Sequence, residues 1–185
     1  MINLDKAIKF GFYLEAISIS YAAIEDRLNS FLIHIGLVNN KDKLKVNKKF
    51  NYLYKYLLKK DENERNKISN ISEKIDIIKA LLLYSNNNDL EQELIKPKDI
   101  KYFNDLIDTV NKLNKELLLS TLEELINIIK VRNVLIHALL NRRVEDSFKN
   151  KEECALRLKQ IFRVLDKELV RPVKRKNFRT KYNIQ

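Results

Sequence analysis

Apolar side chains recur along this chain at steps of three and four, the spacing that lays them on one face of a helix. Over residues 4 to 35 the face carries Ile8, Phe12, Ile19, Ala23, Leu28, Phe31 and Leu32, and Gly36 is a natural C-terminal stop. Residues 44 to 59 repeat Val46, Phe50, Leu53 and Leu57. The clearest stripe is Ile68, Ile71, Ile75, Ile78 and Leu82, predicting a helix over 62 to 84. After the polar break SNNNDLEQE, Pro97 suits the first turn of a fourth helix carrying Ile100, Phe103, Leu106, Val110, Leu113 and Leu117. Ser120 with Glu123 reads as a capping box that opens the next helix, or as a minor irregularity inside a longer one. Asn150 with Glu153 repeats the signal before a last helix through Leu158, Ile161, Leu165 and Leu169, which Pro172 closes. No strand alternation and no internal repeat interrupt the series. The pattern predicts an all-α fold, an antiparallel bundle of five or six helices over residues 1–171, followed by a basic C-terminal tail, 172–185.

Composition narrows this further. Two glycines and two prolines in 185 residues leave little material for hairpins or sandwiches. A chain of this length buries roughly 70% of its unfolded surface and needs no metal or disulfide staple. The single cysteine, Cys154, falls on an apolar stripe and reads as a small core residue. With no cysteine pattern and no signal-like start, a reducing cytoplasm is the expected setting. The longest apolar runs are too short for a bilayer, so no membrane association is expected.

The formal charge of +11 is uneven. Residues 41 to 60 hold eight lysines against Asp42 alone, and residues 171 to 185 hold six basic groups and no acid. Such a balance favours nucleic acid or another polyanion as partner; solubility alone is the plainer explanation. In KKFNYLYKYLLKK, Tyr52 and Tyr56 stand among Lys48, Lys49, Lys55 and Lys59, a pattern that suits unstacked bases; simple packing with snorkelling lysines is the alternative. The tail, with Lys174 and Arg175, is either a disordered arm on phosphates or a segment docked on the bundle.

Several chemistries are excluded. No glycine-rich phosphate loop and no nucleophile elbow is present. Two histidines and one cysteine make a structural zinc site an unfavoured reading. A carboxylate-bound magnesium at Glu25 and Asp26 is harder to exclude, although such acids usually form salt bridges; no metal and no cofactor is expected. His34, at the end of the first helix, is placed to complement the helix dipole.

One segment is out of character with its surroundings. VRNVLIHALLNRR puts Arg132, Asn133 and His137 inside a greasy helical run, where polar groups cost free energy unless paired. Asn133, His137 and Asn141 share a stripe with Lys130, implying a wet groove or an interface. Arg132 lies about 140° around the helix from His137 and roughly 7.5 Å along it.

Arg132-Asn133-Val-Leu-Ile-His137 resembles the Arg-x(4–6)-His motif of HEPN domains, whose commonest form begins Arg-Asn. ISYAAIEDRLNSFL is similar to that family's opening helix, in which an acidic residue can contact the motif; Glu25 is the matching position. The resemblance implies an all-helical domain that often dimerises and often cleaves single-stranded RNA without metal, in toxin–antitoxin pairs, anti-phage defence or CRISPR effectors. It implies Arg132, Asn133 and His137 as catalytic residues, supported by Glu25 and Asn141. Some family toxins carry a tyrosine two residues after the histidine, the target of a modifying antitoxin. Leu139 stands there, so an antitoxin, if one exists, acts otherwise.

A single histidine per chain in this setting adds a chemical reason for a homodimer. Attack by the 2′-hydroxyl needs both a base and an acid, and two copies of His137 would supply them while Arg132 faces the phosphate. Two alternatives stay open: a non-catalytic module of the same fold that binds RNA or protein, and a helical DNA-binding protein, the latter disfavoured by the absence of helix-turn-helix spacing.

Overall fold

The computed structural model describes residues 2–39, 45–58, 67–68, 70–84, 99–140 and 151–184, without the side chains of 2, 49, 52, 55, 56, 58 and 135–140. Within these residues the chain is an all-helical bundle. Its elements are α1 (Ile2–Lys9), α2 (Tyr13–His34), α3 (Asn51–Leu58), α4 (Ile71–Tyr84), α5 (Ile100–Asn111), α6 (Lys115–Leu140), α7 (Lys151–Val164), a π-helical turn (Leu165–Val170), α8 (Arg171–Lys176) and α9 (Phe178–Lys181). Among the described residues, β pairing is limited to isolated bridges, Val38 with Val46 and Lys45 with Lys67.

The first expected helix is two. Gly11 adopts φ +76°, a left-handed value open to a residue without Cβ, and breaks the run between α1 and α2. Gly36, at φ +81°, does end α2. The Leu37 amide donates to the Leu32 carbonyl at 3.0 Å and the Gly36 amide to Ile33 at 2.9 Å, the double bond of a Schellman stop. A Cβ at Gly36 would come within 2.5 Å of Ile184, so this stop also seats the C-terminal segment.

Two helices start elsewhere than the sequence pattern suggests. The Asn114 side chain accepts from the Leu117 amide at 3.2 Å and opens α6, while Ser120 lies inside that helix and donates to the Leu117 carbonyl. The Asn70 side chain caps α4 through the Glu73 amide at 2.8 Å. Ile68 therefore precedes α4, although it is fully buried. Val46, expected in a helix, sits instead in the bridge to Val38, because the Asn39 and Asn47 amides pair with the Lys45 and Leu37 carbonyls. Asn150 and Pro97 lie outside the described residues.

Pro172 does not close the last helix. Proline lacks an N–H and its ring collides with the carbonyl four residues back. The preceding turn widens to π geometry, and Pro172 enters the first turn of α8. Asn177, in the left-handed conformation at φ 48°, makes the real stop. Of the two readings of the basic tail, the docked segment is the one observed: Val173, Phe178 and Ile184 are buried. Tyr102 anchors it. Its ring stacks on Phe50 at 4.3 Å and meets Phe178 and Tyr182 edge-on, and its hydroxyl donates to the Ile35 carbonyl at 2.5 Å.

α2 forms the axis of the bundle, packed on α1, α7, the π turn, α4 and α8. The bundle is not antiparallel throughout. Arg27 of α2 meets Asp166 of the π turn, 139 positions on, and Tyr13 meets Glu152 at the same offset. α2 and α7 therefore run in the same direction. α6 packs on α4 and α7, and Leu118, Leu122, Leu125 and Ile129 form its buried stripe.

Candidate functional site

The buried stripe of α6 stops where the Arg-Asn motif begins. From Lys130 to Val134 no side chain is buried, and Val131 and Val134 are 49% and 66% exposed. The helix continues to Leu140 by its backbone hydrogen bonds, so this stretch leaves the core without losing helical form. His137 is within α6, one turn after Asn133; its side chain and the whole of Asn141 lie outside the described residues.

Arg132 is half-buried. Its guanidinium carbon lies 4.4 Å from the centre of the Tyr21 ring on α2, and Nη1 donates to the Asn133 side-chain oxygen at 3.2 Å. Nε is buried and unpaired. A guanidinium has five N–H donors, and among the described residues only one is used. Asn133 is exposed, with its oxygen turned toward Arg132.

Glu25 does not hold Arg132. Its carboxylate pairs with Lys74 of α4 at 2.5 Å. The Lys74 side chain is 1% exposed against 38% for Glu25, so this carboxylate compensates an ammonium taken out of water. The α2 residue that meets Arg132 is Tyr21, one turn before Glu25 on the same face. Burial raises the Tyr21 hydroxyl pKa; the nearby Arg132 charge opposes the rise and Glu25 adds to it.

The sequence places Tyr21 and Lys74 on the right faces without giving their partners. Lys74 falls at the i+3 step of Ile71, Lys74, Ile75 and Ile78, on the apolar stripe itself. Tyr21 is the aromatic residue four positions ahead of the acid that the family resemblance singles out. Asp26 pairs with Arg27 at 2.6 Å, so neither acid of the candidate magnesium pair is held free of a cation. Among the described residues no three His, Cys, Asp or Glu side chains gather as a metal site, and no helix is long and apolar enough to cross a membrane.

His34 stands in a cationic setting rather than at an uncapped helix end. Arg179 donates to the Ile33 and Val38 carbonyls at 3.4 and 3.3 Å and takes over the C-terminal role expected of the imidazole. Burial lowers the His34 pKa, and the charges of Lys174, Arg179 and Arg27 lower it further. Cys154 is buried with its thiol pKa pushed up by burial, as suits a core position.

Of the expected RNA-contacting groups, Lys48 is exposed beside α3, and Lys174 and Arg175 are exposed on α8 with Arg171 and Lys176. The side chains of Lys49, Tyr52, Lys55 and Tyr56, and the whole of Lys59, lie outside the described residues. No protein-family model, curated protein or solved structure matches this chain.

Proposed function

We propose that this protein is a metal-independent endoribonuclease of HEPN type that cuts single-stranded RNA, in a cytoplasmic toxin–antitoxin or anti-phage role. The observation that carries the reading is the state of Arg132. It stands on an otherwise greasy helix of an all-helical bundle, bonded to Asn133 and, among the described residues, unneutralised by any carboxylate, five residues before His137 in the same helix. An unpaired guanidinium is costly to keep beside a protein core. A bound phosphodiester would relieve that cost.

In this mechanism one His137 takes the proton from the ribose 2′-hydroxyl. The oxygen attacks the adjacent phosphorus, the bond to the 5′-oxygen breaks, and the second His137 protonates the leaving oxygen. Arg132 meets the charge that builds on the phosphorane, and Asn133 orients it. The second histidine comes from a two-fold partner. Val131 and Val134, exposed beside the motif, give a second copy an apolar surface to cover. The fixed cations of α8 and Lys48 guide the strand.

The test is incubation of pure protein with labelled single-stranded RNA and DNA of one sequence in excess EDTA. Cleavage of the RNA alone, with 2′,3′-cyclic phosphate ends, is expected. Equal cutting of DNA, or a strict need for magnesium, overturns the proposal. RNA bound but left intact would favour a non-catalytic module of the same fold.

A further inference from the structure

We propose that the face of the Tyr21 ring is the shelf that positions Arg132 toward a phosphodiester, in place of the carboxylate that usually fixes a functional arginine. The inference rests on the ribonuclease reading of the same site and adds to it a positioning residue on another helix.

Three observations converge. The guanidinium carbon sits 4.4 Å over the ring, well inside the distance at which a cation feels the negative face of an aromatic quadrupole. Glu25, the acid within reach of this face of α2, is committed to the buried ammonium of Lys74. The Arg132 Nε is buried and unpaired, although Nη1 has found Asn133. A carboxylate partner would have taken two donors in a fork and cancelled the charge. An aromatic face takes none. It attracts the cation through its face and takes up none of the N–H groups. Orientation and availability are thereby separated: the ring and the Asn133 oxygen hold the guanidinium, Nε stays buried, and among the described residues the remaining Nη donors stay open for an anionic oxygen.

The Lys74–Glu25 pair is part of the device. Without Lys74, Glu25 would be the nearest free anion on α2 and a competitor for Arg132. Burial of Lys74 keeps that carboxylate occupied.

The experiment compares ring electronics at constant shape. Position 21 is tested as Tyr21→Phe, as the same phenylalanine with five ring fluorines, and as Tyr21→Leu. Two readouts are used. One is the split between kcat and KM on single-stranded RNA. The other is the side-chain Nε–H resonance of Arg132, titrated with an all-deoxy oligonucleotide that carries the phosphodiester but cannot be cleaved. Tyr21→Phe is expected to match wild type within about two-fold. The fluorinated ring, whose quadrupole is reversed, and Tyr21→Leu are expected to lose about 2- to 30-fold in kcat at little changed KM, the range that a cation–π contact supplies. In both, the Arg132 signal should lose its response to the oligonucleotide.

Equal behaviour of the fluorinated and plain rings overturns the shelf, because they differ in electrostatics and not in shape. Equal losses in Tyr21→Phe and Tyr21→Leu also overturn it, because the hydroxyl would then be the active part. If no variant cleaves RNA but the Arg132 resonance still follows the ring as described, the ribonuclease reading fails and the shelf stands. If RNA is cleaved at one rate by all four proteins, the reverse holds. The fluorinated variant keeps the packing volume and so decides the question even if Tyr21→Leu does not fold.

Discussion

Arg27 of α2 and Arg132, which packs on α2 from α6, are both half-buried, and they are handled in opposite ways. Arg27, on the side of α2 that faces the π turn, binds Asp26 at 2.6 Å and Asp166 at 3.0 Å. Burial pulls its pKa down, but hydrogen bonds to the two carboxylates outweigh burial and raise it. Asp166 in turn bonds Arg171, so one carboxylate ties α2 to the start of α8. Arg132, reaching α2 from α6, has an aromatic ring and a neutral amide for partners. Arg27 is a saturated structural clamp. Arg132 keeps a net charge and open donors next to the core, an arrangement with no stabilising purpose of its own. The contrast separates an arginine that holds the fold from one that, in the proposed function, meets an anion.

The largest effect expected from this contrast is on rate. His137→Ala should lower single-turnover RNA cleavage by about 10²–10⁴-fold, as loss of a proton-transfer group does. Arg132→Ala should lower it by about 10²–10³-fold, with the urea midpoint almost unchanged, since no ion pair is lost. The two losses should not add, because both act on one transition state. Arg27→Ala should do the reverse, lowering the urea midpoint while each folded molecule cleaves at the wild-type rate. If Arg27→Ala and Arg132→Ala shift the midpoint alike and leave cleavage alike, the distinction between the two collapses.

Next in size is the pair that frees Arg132 from a carboxylate. Glu25→Ala strands an ammonium that is 1% exposed and should cost about 3 kcal/mol in equilibrium unfolding, the low end for a broken buried pair because Glu25 itself is partly in water. Adding Lys74→Met removes the stranded charge and should restore most of that stability. If Glu25 acted on Arg132 instead, the double variant would regain stability and still cleave poorly. Cleavage per folded molecule should therefore stay within a few-fold of wild type in Glu25→Ala/Lys74→Met.

The Glu25 case shows where sequence reading reaches its limit. Periodicity identifies the buried faces: Ile71, Ile75, Ile78 and Leu82 are buried as the three-four spacing requires, and Gly36 stops α2 where its missing Cβ allows. Arg132 of α6 does meet α2, through Tyr21. Which α2 side chain it meets is not written in the pattern, because Tyr21 and Glu25 share a face and the choice depends on Lys74, 49 positions further on. Pairings of that kind are tertiary. The same holds at Pro172, where the chain absorbs a breaker through a π turn rather than ending, and at Gly11, whose break between two apolar runs of compatible phase leaves no mark on the periodicity. The shared direction of α2 and α7 is likewise set by the contacts of Arg27 and Tyr13, not by either helix alone.

A smaller effect tests the clamp side of the comparison. Asp166 is 18% exposed and serves both Arg27 and Arg171. Asp166→Ala should cost about 2 kcal/mol in urea unfolding, below the range for a fully buried pair because Arg171 is open to solvent. Asp166→Asn, which keeps hydrogen-bond acceptance at one atom, should cost less. RNA cleavage per folded molecule should not change in either. A drop in cleavage equal to that of Arg132→Ala would mean that the clamp and the motif are one unit.

The smallest effect concerns His34, which reports how completely Arg27 is neutralised. Burial is the main cause of its lowered pKa; Lys174 and Arg179 follow, and Arg27 ranks last among the three cations. A guanidinium that faces two carboxylates should move the imidazole little, since their fields oppose its own. The sign of the pH effect follows from linkage. The unfolded imidazole titrates near 6.5 and the folded one lower, so between those values the unfolded chain binds more protons. The His34 contribution to stability is therefore intact above about pH 6.5 and is lost as pH falls through the lowered folded value. His34→Gln should flatten that part of the stability profile. In proton NMR, Arg179→Gln and Lys174→Gln should each move the His34 titration upward more than Arg27→Gln does. A larger shift from Arg27→Gln would mean that its charge is not cancelled by Asp26 and Asp166. Arg27 and Arg132 would then differ in location but not in kind.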